Sequence, residues 1–194
     1  MKLNDIVEVV GVSGVGKSHL IERAKTKLNG KIEMASFGEL LRLNLQGNLG
    51  GRNLSSLEND ELEPIIQSVI DYIIKRQPIV LDTHIVYRQN HILQIHHNSI
   101  LRLATRGYIQ VIADPNKILE RRLADYKSKD RILDRNMDSL EDIYFEQKLS
   151  LAVVKAIAQT TGAGFICIEN NSEEDAIEGV KKIERYIGQV LNVK

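Results

Sequence analysis

Apolar residues along the chain follow two periods. Short runs rich in Val and Ile read as strands buried on both faces. They are Ile6-Val7-Glu8-Val9-Val10, Ile32-Glu33-Met34-Ala35, Pro78-Ile79-Val80-Leu81-Asp82, Tyr108-Ile109-Gln110-Val111-Ile112-Ala113 and Gly164-Phe165-Ile166-Cys167-Ile168. Between them apolar positions recur every three or four residues, the mark of helices packed by one face. A first helix is expected over 17–28, stopped by Asn29-Gly30. Ser36 is placed to cap a second, with Glu39 three residues on. A third starts at Ser56 or Asn59 and carries Ile65, Ile66, Val69, Ile70, Ile73 and Ile74 as a wide stripe. Asp114-Pro115 reads as the cap and first position of a fourth. Ser139 caps a long helix that Gly162 ends, and a terminal helix covers 173–191. Residues 46–53 have the composition of a loop; 83–107 show no clear period beyond a helical look at 100–104. Five strands alternating with helices imply an α/β fold on a parallel sheet.

The first strand runs into Gly11-Val12-Ser13-Gly14-Val15-Gly16-Lys17-Ser18, the G-x-x-x-x-G-K-[ST] pattern, and then into a helical segment opened by His19. Strand, glycine loop and helix in this order make a phosphate-binding loop. The glycines let successive N–H groups turn inward as an anion nest, and the helix adds the positive end of its dipole. Lys17 can reach the β- and γ-phosphates, and the Ser18 hydroxyl is placed to bind Mg²⁺. A loop after the first strand puts the ligand at the carboxyl edge of the sheet.

Asp82 closes an apolar strand and should emerge at that same edge. There it either completes the Mg²⁺ site or caps a helix. His84 positions a phosphate or a water, or makes a structural hydrogen bond. Arg121, Arg122, Arg131 and Arg135 cluster between the fourth strand and the long helix. Guanidinium groups stabilise charge on a transferring phosphoryl in a way Lys does not. The charged stretch 125–138 has the composition of a lid that excludes water, or of a solvated helix whose arginines pair with Asp125, Asp130 and Asp134. His91, His96 and His97 fit no standard metal spacing and read as a polar loop or helix face.

At 194 residues the chain is expected to be one domain, 1–194. Lys+Arg and Asp+Glu both number 26, so no global basic field draws it to nucleic acid or an anionic membrane. Six Tyr and three Phe are too scattered for a platform on which single strands stack. The one cysteine, Cys167, forms no intrachain disulfide and reads as a small buried hydrophobe. No signal pattern and no long apolar run appears, so a cytoplasmic location is expected.

These pieces together resemble the archaeal-type adenylate kinases, P-loop nucleoside monophosphate kinases, over nearly the whole chain. The motifs are residues 11–18, Phe37-Gly38-Glu39, Val80-Leu81-Asp82-Thr83-His84, Ala113-Asp114-Pro115 with Ile118-Leu119-Glu120-Arg121-Arg122-Leu123, and Thr161-Gly162-Ala163 with Glu169-Asn170 beyond. The resemblance implies a P-loop NTPase fold of three αβα layers, with five parallel strands in the order 2-3-1-4-5. It implies transfer of a phosphoryl group from ATP to AMP, giving two ADP, with Mg²⁺ as cofactor. By matching position, Gly11, Val12, Ser13, Gly14, Val15, Gly16, Lys17, Ser18 and His19 bind ATP, and Ser18 and Asp82 hold the metal. Lys17, Arg121, Arg122 and Arg131 are catalytic. Phe37, Gly38, Arg52 and His84 bind the acceptor within helices at 36–76, and 125–138 is the lid. No membrane or nucleic acid is implied, and family members are often trimers, so a homo-oligomer is expected. The chain departs from the family pattern where the acceptor sits. Ser55-Ser56 replace a second arginine, 85–98 lack the usual Gly and Pro, and the lid reads Lys127-Ser128-Lys129-Asp130-Arg131. Two other readings stay open. One is a kinase of the same fold acting on another nucleoside, a small metabolite or an RNA 5′-hydroxyl. The other is an NTP-binding switch or assembly ATPase, against which stand the missing Asn-Lys-x-Asp motif and the chain's own arginines.

Overall fold

The computed structural model describes residues 2–28, 32–48, 59–89, 92–95, 101–129 and 139–192. In chain order the elements are β1 (Asn4–Val10), α1 (Lys17–Lys27), β2 (Glu33–Ser36), α2 (Phe37–Asn48), α3 (Asn59–Lys75), β3 (Ile79–Thr83), β4 (Val86–Gln89), β5 (Ile92–Ile95), β6 (Thr105–Ile112), α4 (Pro115–Lys129), α5 (Leu140–Thr161), β7 (Gly164–Glu169) and α6 (Glu173–Leu191). Five of the strands form one parallel sheet in the order β2-β3-β1-β6-β7. This is the expected 2-3-1-4-5 order, with an antiparallel β4–β5 hairpin inserted between the third and fourth sheet strands.

The side-chain alternation of β1 sorts the core into two faces. Val7 and Val9 face α1 and α6 and pack with Leu20, Ile21, Ala24, Val180, Ile183 and Ile187. Ile6 faces the opposite way, onto Val69, Ile70 and Ile73 of α3. Val10 points to that second face too and meets Val154 and Ala158 of α5. Helices thus cover both faces, which is why the strands read as nearly unbroken apolar runs.

Local signals set most helix ends. Ser36 Oγ accepts the Glu39 N–H at 3.4 Å as α2 begins. Asp114 Oδ1 accepts the Asn116 N–H at 2.7 Å ahead of α4. Ser139 and Asp142 form a reciprocal capping box, and Gly162 ends α5 with a left-handed φ of 74°. Residues 101–103 form a short helical turn, as read from the sequence.

Four expectations need correction. α2 runs to Asn48, so the first three residues of the stretch read as a loop, 46–48, are helical. β6 starts at Thr105, three residues before Tyr108. Its polar start is recruited by β1: the Asn4 N–H donates to Ala104 O at 2.7 Å, and Asn4 pairs with Thr105. The stretch after Thr83 contains the β4–β5 hairpin, a pairing that local periodicity did not reveal. Cys167 is exposed rather than buried. It lies on β7, the edge strand, and points away from the face that buries Ile168.

Candidate active site

The carboxyl ends of β1 and β3 lie side by side, with Val9 opposite Asp82 and Val10 opposite Thr83. The glycine loop leaves β1 there and enters α1 at Gly16, which has a left-handed φ of 93°. A Cβ on Gly16 would lie 2.3 Å from Asn170 Nδ2, and one on Gly14 (φ 80°) 2.9 Å from Arg122 Cγ. Only glycine accepts both the backbone angle and the close approach at these two points.

Lys17 is buried at 4% exposure. Its Nζ donates to Gly11 O at 2.8 Å and lies 3.7 Å from Asp82 Oδ1 and 3.4 Å from His84 Nδ1. Burial pulls its ammonium down to about 8, against the Asp82 and Glu146 charges, which raise it. Below that pH it stays a cation, folded back over the loop by contacts that a phosphate chain could replace. Ser18 Oγ donates to Asp82 Oδ2 at 2.8 Å. The other oxygen, Asp82 Oδ1, is buried and accepts no hydrogen bond. The two proposed metal ligands therefore meet, and one buried carboxylate oxygen still lacks a donor. Hard oxygen donors of this kind suit Mg²⁺.

Arg121 and Arg122 follow one another on α4, and both reach the loop. Arg121 donates to Val15 O at 3.0 Å and Asn170 O at 2.8 Å. Arg122 Nε donates to Ser13 O at 2.9 Å, and its terminal nitrogen pairs with Glu146 Oε2 at 3.0 Å. His19 is exposed on the first turn of α1, with Nε2 3.3 Å from Arg23. Phe37 packs against the cluster under α3, and Gly38 is exposed beside it. Arg52, Arg131, Arg135, His91, His96, His97 and the proposed lid from 130 to 138 lie outside the described residues.

Three buried polar residues were given no role from the sequence. Asn170, quoted only as part of a motif, is buried at the end of β7 and donates to Val15 O at 2.8 Å. Its place at the same sheet edge as Asp82 was a usable signal. Glu146 sits mid-helix on α5 with no local signal. Glu8 interrupts the apolar run of β1, which was a signal. Its carboxylate is fully buried and accepts from the Thr83 hydroxyl at 3.1 Å and from the Thr105 hydroxyl. Burial, partly offset by those two bonds, pushes its carboxyl up to about 7.

A nest of glycines, a folded-back lysine and a serine–aspartate pair at one sheet edge have the arrangement of a P-loop, which can cradle a phosphate chain. The sequence model of a protein family described as an AAA domain matches residues 10–143. The chain belongs to this family. It is also 29% identical over 192 residues to an adenylate kinase of Thermococcus kodakarensis, covering 94% of each chain. An adenylate kinase of Pyrococcus abyssi is 28% identical over 186 residues, covering 92% of each. The resemblance to adenylate kinases read from the motifs thus holds along nearly the full length of these relatives. The crystal structure of a shikimate kinase from Bacteroides thetaiotaomicron shares the fold, with a TM-score of 0.56, 10% identity, and coverage of 94% of this chain and 97% of that one. No helix among the described residues is long and apolar enough to cross a membrane.

Proposed function

We propose that this protein is a nucleoside monophosphate kinase that transfers the γ-phosphoryl group of ATP to AMP, giving two ADP. The observation that carries the donor half is the convergence of Lys17, Ser18 and Asp82 on one point beside the loop. The acceptor half rests on similarity to the archaeal adenylate kinases.

Ser18 and Asp82 would hold Mg²⁺, which would supply charge neutralisation to the bound phosphates. Lys17 would exchange Gly11 O for phosphate oxygens, keeping its charge where negative charge grows during transfer. Arg122, already against Ser13 O, would aim a planar guanidinium at the transferring group. Arg121 reaches that group only by leaving two backbone carbonyls, so in its present pose it acts by holding the loop. Arg131 completes the arginine set in this reading. Phe37, Gly38, Arg52 and His84 border the acceptor.

An acceptor panel with labelled ATP tests the reading. AMP should accelerate ADP formation far above the rate with water as acceptor. Faster transfer to shikimate, a sugar, another nucleotide or an RNA 5′-hydroxyl would assign a different acceptor. Indifference to every acceptor would indicate a switch or assembly ATPase.

A further inference from the structure

Two consecutive buried polar residues of α5 face the site. Gln147 clamps the end of β6: its Oε1 accepts the Ala113 N–H at 2.9 Å, and its Nε2 donates to Ala113 O at 2.8 Å. This pair of hydrogen bonds fixes where α5 lies against the sheet edge. Glu146, one residue earlier, is 4% exposed. Its carboxylate takes the Arg122 guanidinium at 3.0 Å, with side-chain exposures of 11% and 5% for the pair. The same guanidinium donates from Nε to Ser13 O in the phosphate loop. Its stem lies against Gly14, with Arg122 Cγ at 2.9 Å from where a Cβ would stand. A chain of contacts thus runs from the sheet edge through α5 and α4 to the loop.

A buried ion pair is weak evidence for stability, because desolvation offsets much of the attraction. What such a pair supplies here is geometry. A guanidinium held by two acceptors in fixed directions loses its freedom to rotate before substrate arrives. The Glu146 charge also acts on Lys17, which places it within the site's electrostatic reach.

We propose that Glu146 is a positioning residue of the phosphoryl-transfer site, holding the Arg122 guanidinium in register with the phosphate loop. The proposal rests on the kinase reading for its choice of assay, but it concerns the donor side alone. Glu146 touches no reacting atom; it acts through Arg122.

The test is a double-mutant cycle of Glu146→Gln and Arg122→Gln in the full chain, read as kcat and as KM for ATP, with melting temperature measured in parallel. Glu146→Gln should lower kcat roughly tenfold or more and leave KM for ATP within about threefold. In the Arg122→Gln background the same change should alter kcat less than about twofold, because its route to the reaction is already gone. A kcat unchanged by Glu146→Gln, with or without a fall in melting temperature, would reduce Glu146 to a structural ion-pair partner and overturn the proposal. Equal losses in both backgrounds would overturn it too. If the single variant does not fold, the double variant buries no lone charge and is compared with Arg122→Gln alone. There a loss well beyond twofold counts against the proposal and near-equality supports it. AMP-dependent turnover of the unmutated protein decides the acceptor reading separately. If AMP has no effect, the cycle is read on basal ATP hydrolysis, which needs no acceptor, with the same two outcomes.

Discussion

Two polar pockets flank the upper half of β1, and they handle buried charge in opposite ways. Around the phosphate loop, charge meets charge: Lys17 faces Asp82, and Arg122 faces Glu146. Within the sheet, by contrast, the hydrogen bonds to the Glu8 carboxylate among the described residues come from the neutral hydroxyls of Thr83 and Thr105. Glu8 and Lys17 are both buried, yet only the lysine is offered a full countercharge. Neutral donors cannot repay the desolvation of a carboxylate, so Glu8 holds its proton to about pH 7. The loop pocket instead keeps Lys17 a cation below about pH 8, beside the Asp82 and Glu146 charges and ready for an anionic ligand. Burial alone therefore does not mark a catalytic group; the sign and number of its neighbours do.

The sharpest way to break this contrast is to remove the loop's central charge. Lys17→Ala should cut kcat by about a thousandfold while leaving the melting temperature nearly unchanged, since the lysine acts mainly on charge that develops during transfer. Steady-state kinetics and a thermal melt check both halves of that statement. Asp82→Asn should lower kcat by about a hundredfold at moderate Mg²⁺, and raising the Mg²⁺ concentration should recover part of it. A magnesium titration giving the same half-saturation as the parent would remove Asp82 from the metal site. Arg122→Lys keeps the charge but not the fork that spans Ser13 O and Glu146. It should cost about tenfold in kcat, and parental turnover would leave the arginine no role in transfer.

Glu8 gives an effect on stability alone, and a pH-dependent one. Its folded carboxyl titrates near 7 against an ordinary 4.5, so the folded protein binds more protons than the unfolded chain between those values. Stability from this group is complete below the lower value and is lost as pH rises through the upper one. Glu8→Gln should therefore gain on the parent between about pH 5 and about pH 8, by up to a few kcal/mol. Urea unfolding at the two pH values measures the gain. A difference independent of pH would mean that Glu8 is ionised in both states.

Much of this was legible because it is local. The capping box at Ser139 and the stop at Gly162 are written within a few residues of the ends they set. The phosphate loop is equally local, and Asp82 could be placed beside it because a strand end and a loop that share a sheet edge must be neighbours. The β4–β5 hairpin was not legible, since its four-residue strands carry no period distinct from the surrounding sequence. Glu146 was hidden for a different reason. It is one of many polar letters on a helix, and its partner lies 24 residues earlier on another element. Glu8 stood out as a lone acid in an apolar strand, but Thr83 and Thr105 become its partners only when β3 and β6 flank β1. Cys167 misled because an apolar run looks the same on an edge strand as on a central one.

The reverse reaction isolates the central claim with a single reagent. ADP and Mg²⁺ are mixed with the protein, no other nucleotide is added, and the products are followed by phosphorus NMR. A kinase whose donor is ATP and whose acceptor is AMP should convert ADP into equal amounts of ATP and AMP, and the Lys17→Ala variant should do so far more slowly. ADP that stays unchanged beside active protein able to bind ATP would contradict the assignment of AMP as acceptor.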